Sequence, residues 1–268
     1  MNPGPVAGPR RGVWMFPNRP AGELIDAVVR AEELGLDEVW IADEGISRDP
    51  MMVLAAAARE TTRLTLATGV TSPLLRHPGS LAVAAATLDE ISVGRFRLGV
   101  GIGGEKALGP FGLSTGRPVG VLKEAIVTAR TGLAAQPGPG YRPDEHAFGP
   151  RSVPIWVGAR GRQMIRMAAA NADGVFLSGC SSEEHGTIID QARSLNPDIA
   201  TALYQSASDG MSGPTVSSWD EVGAVLAAEA GRFGPTSIGI NLVDLAAGNA
   251  DAVEAVERAA TVLQQIFR

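Results

Sequence analysis

The stretch Arg63–Glu105, RLTLATGVTSPLLRHPGSLAVAAATLDEISVGRFRLGVGIGGE, decides the fold of this 268-residue chain. Leu64–Gly69 is a run of apolar and β-branched residues that ends at a Thr-Ser-Pro break, which is typical of a strand. Gly79–Ile91 repeats apolar residues at helical spacing, and Phe96–Val100 resumes a short apolar run that closes on glycines. The stretch therefore predicts a strand–helix–strand unit with parallel strands. Its glycine-rich loops follow the carboxyl ends of the strands, where parallel α/β folds place their functional residues.

The same alternation continues along the chain. Apolar runs predict strands at Gly12–Phe16, Glu38–Ala42, Leu64–Gly69, Phe96–Gly101, Pro154–Gly158, Gly174–Ser178, Ile199–Gln205 and Ser237–Val243. Helical patterns follow them at Gly22–Leu34, Pro50–Thr61, Gly79–Ile91, Val119–Ala134, Arg162–Asn171, Glu183–Ser194, Trp219–Arg232 and Asp251–Phe267. Eight strand–helix pairs in about 250 residues predict an α/β fold of the (β/α)8 barrel type. An open doubly wound sheet would need a dinucleotide fingerprint, which the first strand–helix turn lacks.

Composition and charge indicate a globular domain and argue against several kinds of partner and site. A hydrophobic content of 45% and a charged content of 19% are ordinary for a globular domain, and a net charge of −6 argues against a nucleic-acid partner. Cys180 is the only cysteine and the three histidines are far apart in sequence, so we expect neither an intrachain disulfide nor a metal site. We expect Cys180 to fill space in the core.

The amino-terminal residues are rich in proline and glycine and lack the apolar core of a signal peptide. We therefore expect residues 1–11 to form a flexible leader and residues 12–268 to form a single barrel domain. No stretch of about 18 uncharged apolar residues occurs, so we expect no membrane partner. The absence of possible disulfides suits a cytoplasmic location.

Two segments within the opening stretch also resemble a known family. TGVTSPLLRHP (68–78) and ATLDEISVGRFRLGVGIG (86–103) are similar to the luciferase-like flavin oxidoreductases. Within that family, they resemble most the branch that uses coenzyme F420, a deazaflavin, as methylenetetrahydromethanopterin reductases do. The resemblance implies a shortened TIM barrel, a homodimer, and hydride transfer to or from a small organic substrate at the carboxyl-end mouth of the barrel.

Three positions are candidates for catalysis. Asp43 and Glu44 end the second predicted strand, and the family has an acidic residue followed by His or Glu at this place, close to the cofactor ring. A carboxylic acid in an apolar pocket can have its pKa raised enough to donate a proton. His77 opens the third predicted helix and is the third candidate, although a structural role at the helix start is the alternative.

The cofactor-binding candidates come from four loops. The resemblance implies a non-prolyl cis bond at Gly69–Val70 that supports one face of the ring. Gly158-Ala159-Arg160-Gly161-Arg162 runs from a strand directly into a helix, and free backbone N–H groups at a helix N-terminus favour a phosphate. The full set of candidates is Gly69, Val70, Thr71, Gly101, Gly103, Gly158, Ala159, Arg160, Gly161, Arg162, Ser178 and Gly179.

Three functions therefore remain open. The first is an F420-dependent oxidoreductase. The second is a monooxygenase of the same fold that uses FMN and oxygen. The third is a barrel that binds a flavin or a partner without turnover, because relatives commonly carry longer insertions after the seventh strand than Ser206–Ser218.

Overall fold

The computed structural model describes residues 8–138, 141–206, 219–242 and 251–267. Their strands form a closed barrel in which each strand pairs in parallel with the next and β8 pairs with β1, so the barrel prediction is confirmed. The strands are β1 (Arg10–Met15), β2 (Glu38–Ile41), β3 (Thr65–Thr68), β4 (Phe96–Val100), β5 (Ile155–Gly158), β6 (Gly174–Ser178), β7 (Ala200–Ser206) and β8 (Ser237–Asn241).

The helices surround this barrel. They are α1 (Ala21–Glu33), α2 (Pro50–Glu60), α3 (Pro78–Ile91), α4 (Glu105–Leu108), α5 (Pro118–Leu133), α6 (Arg162–Asn171), α7 (Ser182–Leu195), α8 (Trp219–Phe233) and α9 (Ala252–Ile266). None of these helices combines the length and the apolar composition needed to cross a membrane.

Two details differ from the sequence prediction. Strand β1 starts at Arg10, so Arg10 and Arg11 pair with β8 and do not belong to the leader. The side chain of Arg10 reaches the buried carboxylate of Glu38, which holds the strand's first residue in the barrel. The short helix α4 was not predicted, because four residues are too few to show a helical period. Residues 1–7, 207–218 and Val243 lie outside the described residues.

Aromatic side chains fill the barrel interior below its mouth. Alternate residues of each strand point inwards, and this face brings Trp14, Trp40, Trp156, Phe176 and Tyr204 into one buried cluster. Trp40 stacks on Phe176 with 4.5 Å between ring centroids. A ligand can therefore enter from the carboxyl end but cannot pass through the barrel.

A buried carboxylate organises the opposite, amino-terminal end of the interior. Glu38 is fully buried, and its carboxylate accepts hydrogen bonds from Arg10, Arg97, Trp40, Tyr204 and Ser237. Burial acts to raise the pKa of Glu38, but the charges of Arg97 and Arg10 and the hydrogen bonds outweigh it, so this pKa is lowered. The network fixes five strands to one another at the floor of the barrel.

Candidate active site at the carboxyl end of the barrel

Asp43 is held firmly at the end of β2. Its Oδ2 atom accepts a hydrogen bond from Thr71 Oγ1 at 2.6 Å and forms an ion pair with Arg76 Nε at 3.2 Å. Arg76 also binds Asp49, the N-cap of α2, at 2.8 Å. Asp43 is buried, and these contacts fix the orientation of its carboxylate. This side chain is therefore held in place at the mouth.

Glu44 lies next to Asp43 in a different environment. Burial, together with the charge of Asp43, raises the pKa of the Glu44 carboxyl, and Lys106 only partly opposes these effects. Like charges placed close together disfavour double ionisation, and Glu44, unlike Asp43, forms no ion pair among the described residues. The two adjacent acids therefore differ: Asp43 is anchored by a hydrogen bond and an ion pair, whereas the pKa of Glu44 is raised, which suits a proton donor.

An apolar wall faces the mouth from β3, β4 and β5. The Gly69–Val70 peptide bond is cis, as the resemblance implied. Trp14 Nε1 donates a hydrogen bond to Gly69 O beneath this turn. A Cβ atom at Gly101 would lie 2.5 Å from Val70 Cγ2, and one at Gly158 would lie 3.1 Å from the same atom. Glycine at these two strand ends leaves the room that Val70 occupies.

The loop after β5 leads into α6 as the sequence predicted. Gly161 is the N-cap of α6 with φ of +73°, and no side chain caps the helix. The N-cap therefore offers no side-chain acceptor to the first N–H groups of the helix. Arg160 Nη2 donates to the carbonyl oxygens of Ser178 and Gly179, both at 2.7 Å, and so joins the β5 and β6 loops. The loop can hold a phosphate through backbone N–H groups and the exposed side chain of Arg162.

Ala159 is buried in the outer core behind this loop, and Ser178 Oγ accepts a hydrogen bond from Asn241 Nδ2 at 2.8 Å. Gly103 and Gly179 adopt φ values of +84° and +65°, which favour glycine. These candidates contribute loop shape rather than side-chain chemistry.

His77 caps the helix α3. Its Nδ1 atom accepts a hydrogen bond from Gly79 N and thereby caps α3, and its side chain is exposed on the outer surface. No hydrogen bond joins it to Asp43 or Glu44 among the described residues. The structural role at the helix start is the role that the geometry supports. Cys180 is buried, and burial raises the pKa of its thiol, in keeping with a packing role.

Sequence reasoning missed two polar residues at the mouth. Arg76 lies in the quoted motif, but only the folded chain brings it to Asp43 and Asp49. Asn241 ends β8, and the alternation of inward and outward residues along SIGIN was the signal that could have found it.

A comparison with known protein families identifies the family to which this barrel belongs. Residues 1–195 match the family described as Luciferase-like monooxygenase, a match that covers most of the chain. The chain belongs to the luciferase-like monooxygenase family. The family resemblance of the quoted motifs is therefore confirmed.

This luciferase-like chain is similar to several curated proteins. It is 31% identical over 186 residues to 5,10-methylenetetrahydromethanopterin reductase of Methanolobus tindarius, covering 67% of this chain and 57% of the relative. It is also 31% identical over 188 residues to F420-dependent glucose-6-phosphate dehydrogenase of Intrasporangium calvum, covering 60% and 55%. The chain thus spans little more than half the length of these relatives.

Solved structures agree on the luciferase-like fold. Monooxygenase RslO1 from Streptomyces bottropensis superposes with a TM-score of 0.73 at 22% identity, covering 96% of this chain and 98% of that chain. The coenzyme F420 dependent tetrahydromethanopterin reductase from Methanopyrus kandleri gives 0.66 at 20% identity, covering 97% and 91%. At these identities the agreement concerns the fold alone.

Proposed function

We propose that this chain is an oxidoreductase that uses coenzyme F420 to transfer a hydride to or from a small organic substrate. The observation that carries the proposal is the pairing of an anchored Asp43 with a Glu44 of raised pKa at the barrel mouth. The F420-dependent relatives at 31% identity support the choice of cofactor. When bound, F420 supplies the hydride chemistry.

The residues at the mouth fit such a cofactor. The uncapped N-terminus of α6 and Arg162 would hold its phosphate, and Val70 would support the flat ring. Glu44 would hold, on a carboxyl oxygen, the proton that the substrate gains or loses. Its burial and the neighbouring Asp43, which raise the pKa of Glu44, would favour the protonated form. The apolar cluster below the mouth excludes water from this side of the pocket.

FMN is the second candidate cofactor. The α6 N-terminus suits the phosphate monoester of FMN equally well, since backbone N–H groups recognise the anion and not the ring. In that case the chain would be an oxygen-dependent monooxygenase. We further propose a homodimer, as the family resemblance implies, and a cytoplasmic location, which suits a chain with a single cysteine.

An anaerobic fluorescence titration with F420 and FMN tests the cofactor. We expect F420 to bind at least about tenfold more tightly, which is a difference of about 1.4 kcal/mol. Preference for FMN would favour the monooxygenase, and binding of neither would favour a non-catalytic barrel.

A matched pair of glycine variants tests the position of the ring. Gly101→Ala should displace Val70, because the new Cβ would lie 2.5 Å from its Cγ2, and should weaken F420 binding. Gly104→Ala is the control, since a Cβ there would meet nothing within 4 Å. Equal affinities of the two variants would contradict the proposed place of the ring against Val70.

A further inference from the structure

Arg76 joins the two ends of the loop that carries Glu44. This β2–α2 loop consists of residues 42–49. Arg76 Nε donates to Asp43 Oδ2 at 3.2 Å near the start of the loop, and Arg76 Nη2 donates to Asp49 Oδ2 at 2.8 Å at its end. One guanidinium group therefore spans the loop, and Glu44 lies in sequence between the two anchor points.

The two carboxylates divide their oxygens between Arg76 and the backbone. Asp43 Oδ1 accepts from the N–H of Gly45 at 3.3 Å, and its Oδ2 atom binds Arg76. Asp49 Oδ1 accepts from the N–H of Met51 at 2.8 Å as the N-cap of α2, and its Oδ2 atom binds Arg76. Both contacts of Arg76 therefore also fix the course of the backbone at the ends of the loop.

Arg76 itself stands on a fixed base. Its N–H donates to Ser72 O at 3.2 Å, and Ser72 Oγ donates to Ile102 O, in the loop after β4, at 2.8 Å. Burial acts to lower the pKa of Arg76, but hydrogen bonds and charges from Asp49 and Asp43 outweigh it, so this pKa is raised. The guanidinium is therefore a held cation.

The segment after β4 packs on the same loop. Gly45 has φ of +67°, and a Cβ atom there would lie 2.6 Å from Ala107 O and 2.8 Å from Phe111 Cε2. The charged groups that act on Glu44 are Asp43 from the end of β2 and Lys106 from α4. Glu44 thus lies in a loop that is held by Arg76 and packed against α4.

We propose that Arg76 is a positioning residue whose two-armed ion pair holds the β2–α2 loop closed and so keeps Glu44 half-buried at the mouth. It acts through Asp43 and Asp49 and not on the substrate itself. Arginine suits this role because its planar group presents Nε and Nη2 in a rigid fork, whereas a lysine ammonium is a single point charge. The inference rests on the proposed function only for the role of Glu44 as proton donor.

Hydrogen exchange of the full chain, followed by mass spectrometry, tests the clasp. In Arg76→Gln, the amides of the β2–α2 loop should exchange about tenfold faster, because hydrogen bonds to charged groups no longer hold the loop. The helix α6 should exchange as in the wild type. Arg117→Gln, which removes an exposed ion pair with Glu124, is the matched control and should leave both regions unchanged.

Two further variants test the two arms. Asp49→Ser removes the carboxylate that Arg76 binds but keeps a good N-cap for α2, and it should also speed exchange in the loop. Arg76→Lys keeps the charge without the fork and should do the same. Unchanged loop exchange in Asp49→Ser, or full rescue in Arg76→Lys, would contradict the two-armed clasp.

The titration of Glu44 separates positioning from a simple effect of charge. Carbon NMR of carboxyl-labelled glutamate follows it, and the signal is assigned by its absence in Glu44→Gln. Burial raises the pKa of Glu44, so opening of the loop in Arg76→Gln should lower this pKa towards its ordinary value. Gly45→Ala strains the same loop without changing any charge and should lower it as well. A rise in Arg76→Gln, as expected from the loss of a nearby cation alone, would overturn the inference, and so would no change.

Neither measurement needs the cofactor or a substrate. Failure of the F420 titration would therefore count against the proposed function without affecting the test of the clasp. Faster exchange of α6 to the same extent as the loop in Arg76→Gln would mean that Arg76 only stabilises the fold, and it would overturn the inference.

Discussion

Asp43 and Glu44 show how neighbouring residues of similar chemistry acquire different properties. Thr71 and Arg76 bind the Asp43 carboxylate, whereas burial and the charge of Asp43 raise the pKa of Glu44. At the scale of single residues, the site thus combines an anchored carboxylate with a neighbouring carboxyl group of raised pKa. This difference predicts how the proposed activity depends on pH.

The variant Glu44→Gln should lower kcat for substrate reduction by about 10²-fold, because it removes the proton donor. In the wild type, kcat should fall as pH rises through the raised pKa of Glu44, and this fall should be absent in the variant. Thermal unfolding provides a second measurement. Since the folded-state pKa is raised, the wild type should lose stability relative to the variant as pH rises through it. Unchanged pH profiles in the variant would contradict the role of Glu44.

Variants of His77 distinguish a structural role of this residue from a catalytic one. His77→Ala removes the cap of α3 and should lower the free energy of unfolding by about 1 kcal/mol. His77→Asn should restore most of it, because asparagine is a good N-cap. Urea denaturation measures the stability, and the rates of both variants should stay close to that of the wild type. A large loss of kcat in His77→Asn would restore His77 as a catalytic residue.

At the scale of elements, the two ends of the strands have different roles. The carboxyl ends carry glycines and short polar side chains, and the amino-terminal ends are joined through Glu38. Parallel barrels commonly separate function and stability in this way.

Replacing the floor carboxylate should destabilise the whole barrel. Glu38→Gln leaves Arg10 and Arg97 without their anion and should cost about 3–5 kcal/mol in urea denaturation. The lowered pKa of Glu38 means that its stabilisation is present above its ordinary pKa and is lost as pH falls through the lowered value. Glu33→Gln, at an exposed pair with Arg30, is the matched control and should change stability by less than about 0.5 kcal/mol. Similar losses in both variants would contradict the role of the floor network.

At the scale of the whole molecule, the proposal is a homodimer of barrels. Light scattering coupled to gel filtration should give a molar mass of twice the 27.7 kDa of one chain. The mass should remain unchanged on dilution through the micromolar range if the interface is stable. A mass of one chain at all concentrations would contradict the dimer.

Much of the fold was predictable because it depends on local patterns. The strand β6 was predicted with its observed bounds, and most other strands differ by one or two residues at an end. Apolar periodicity records which face of each element is buried, but strand ends depend on pairing with neighbours. Short elements such as α4 leave no periodic signal.

The sequence by itself determined the barrel, the family and the loops that follow each strand, since these follow from periodicity and from contiguous motifs. Only the tertiary structure brought Arg76 to Asp43, assigned His77 to the cap of α3 and, among the described residues, left Asn241 Oδ1 buried without a hydrogen-bond partner. The reason is physical. Ion pairs, pKa values and unsatisfied hydrogen bonds depend on distances between residues that are far apart in the chain, and these distances exist only after the barrel has closed.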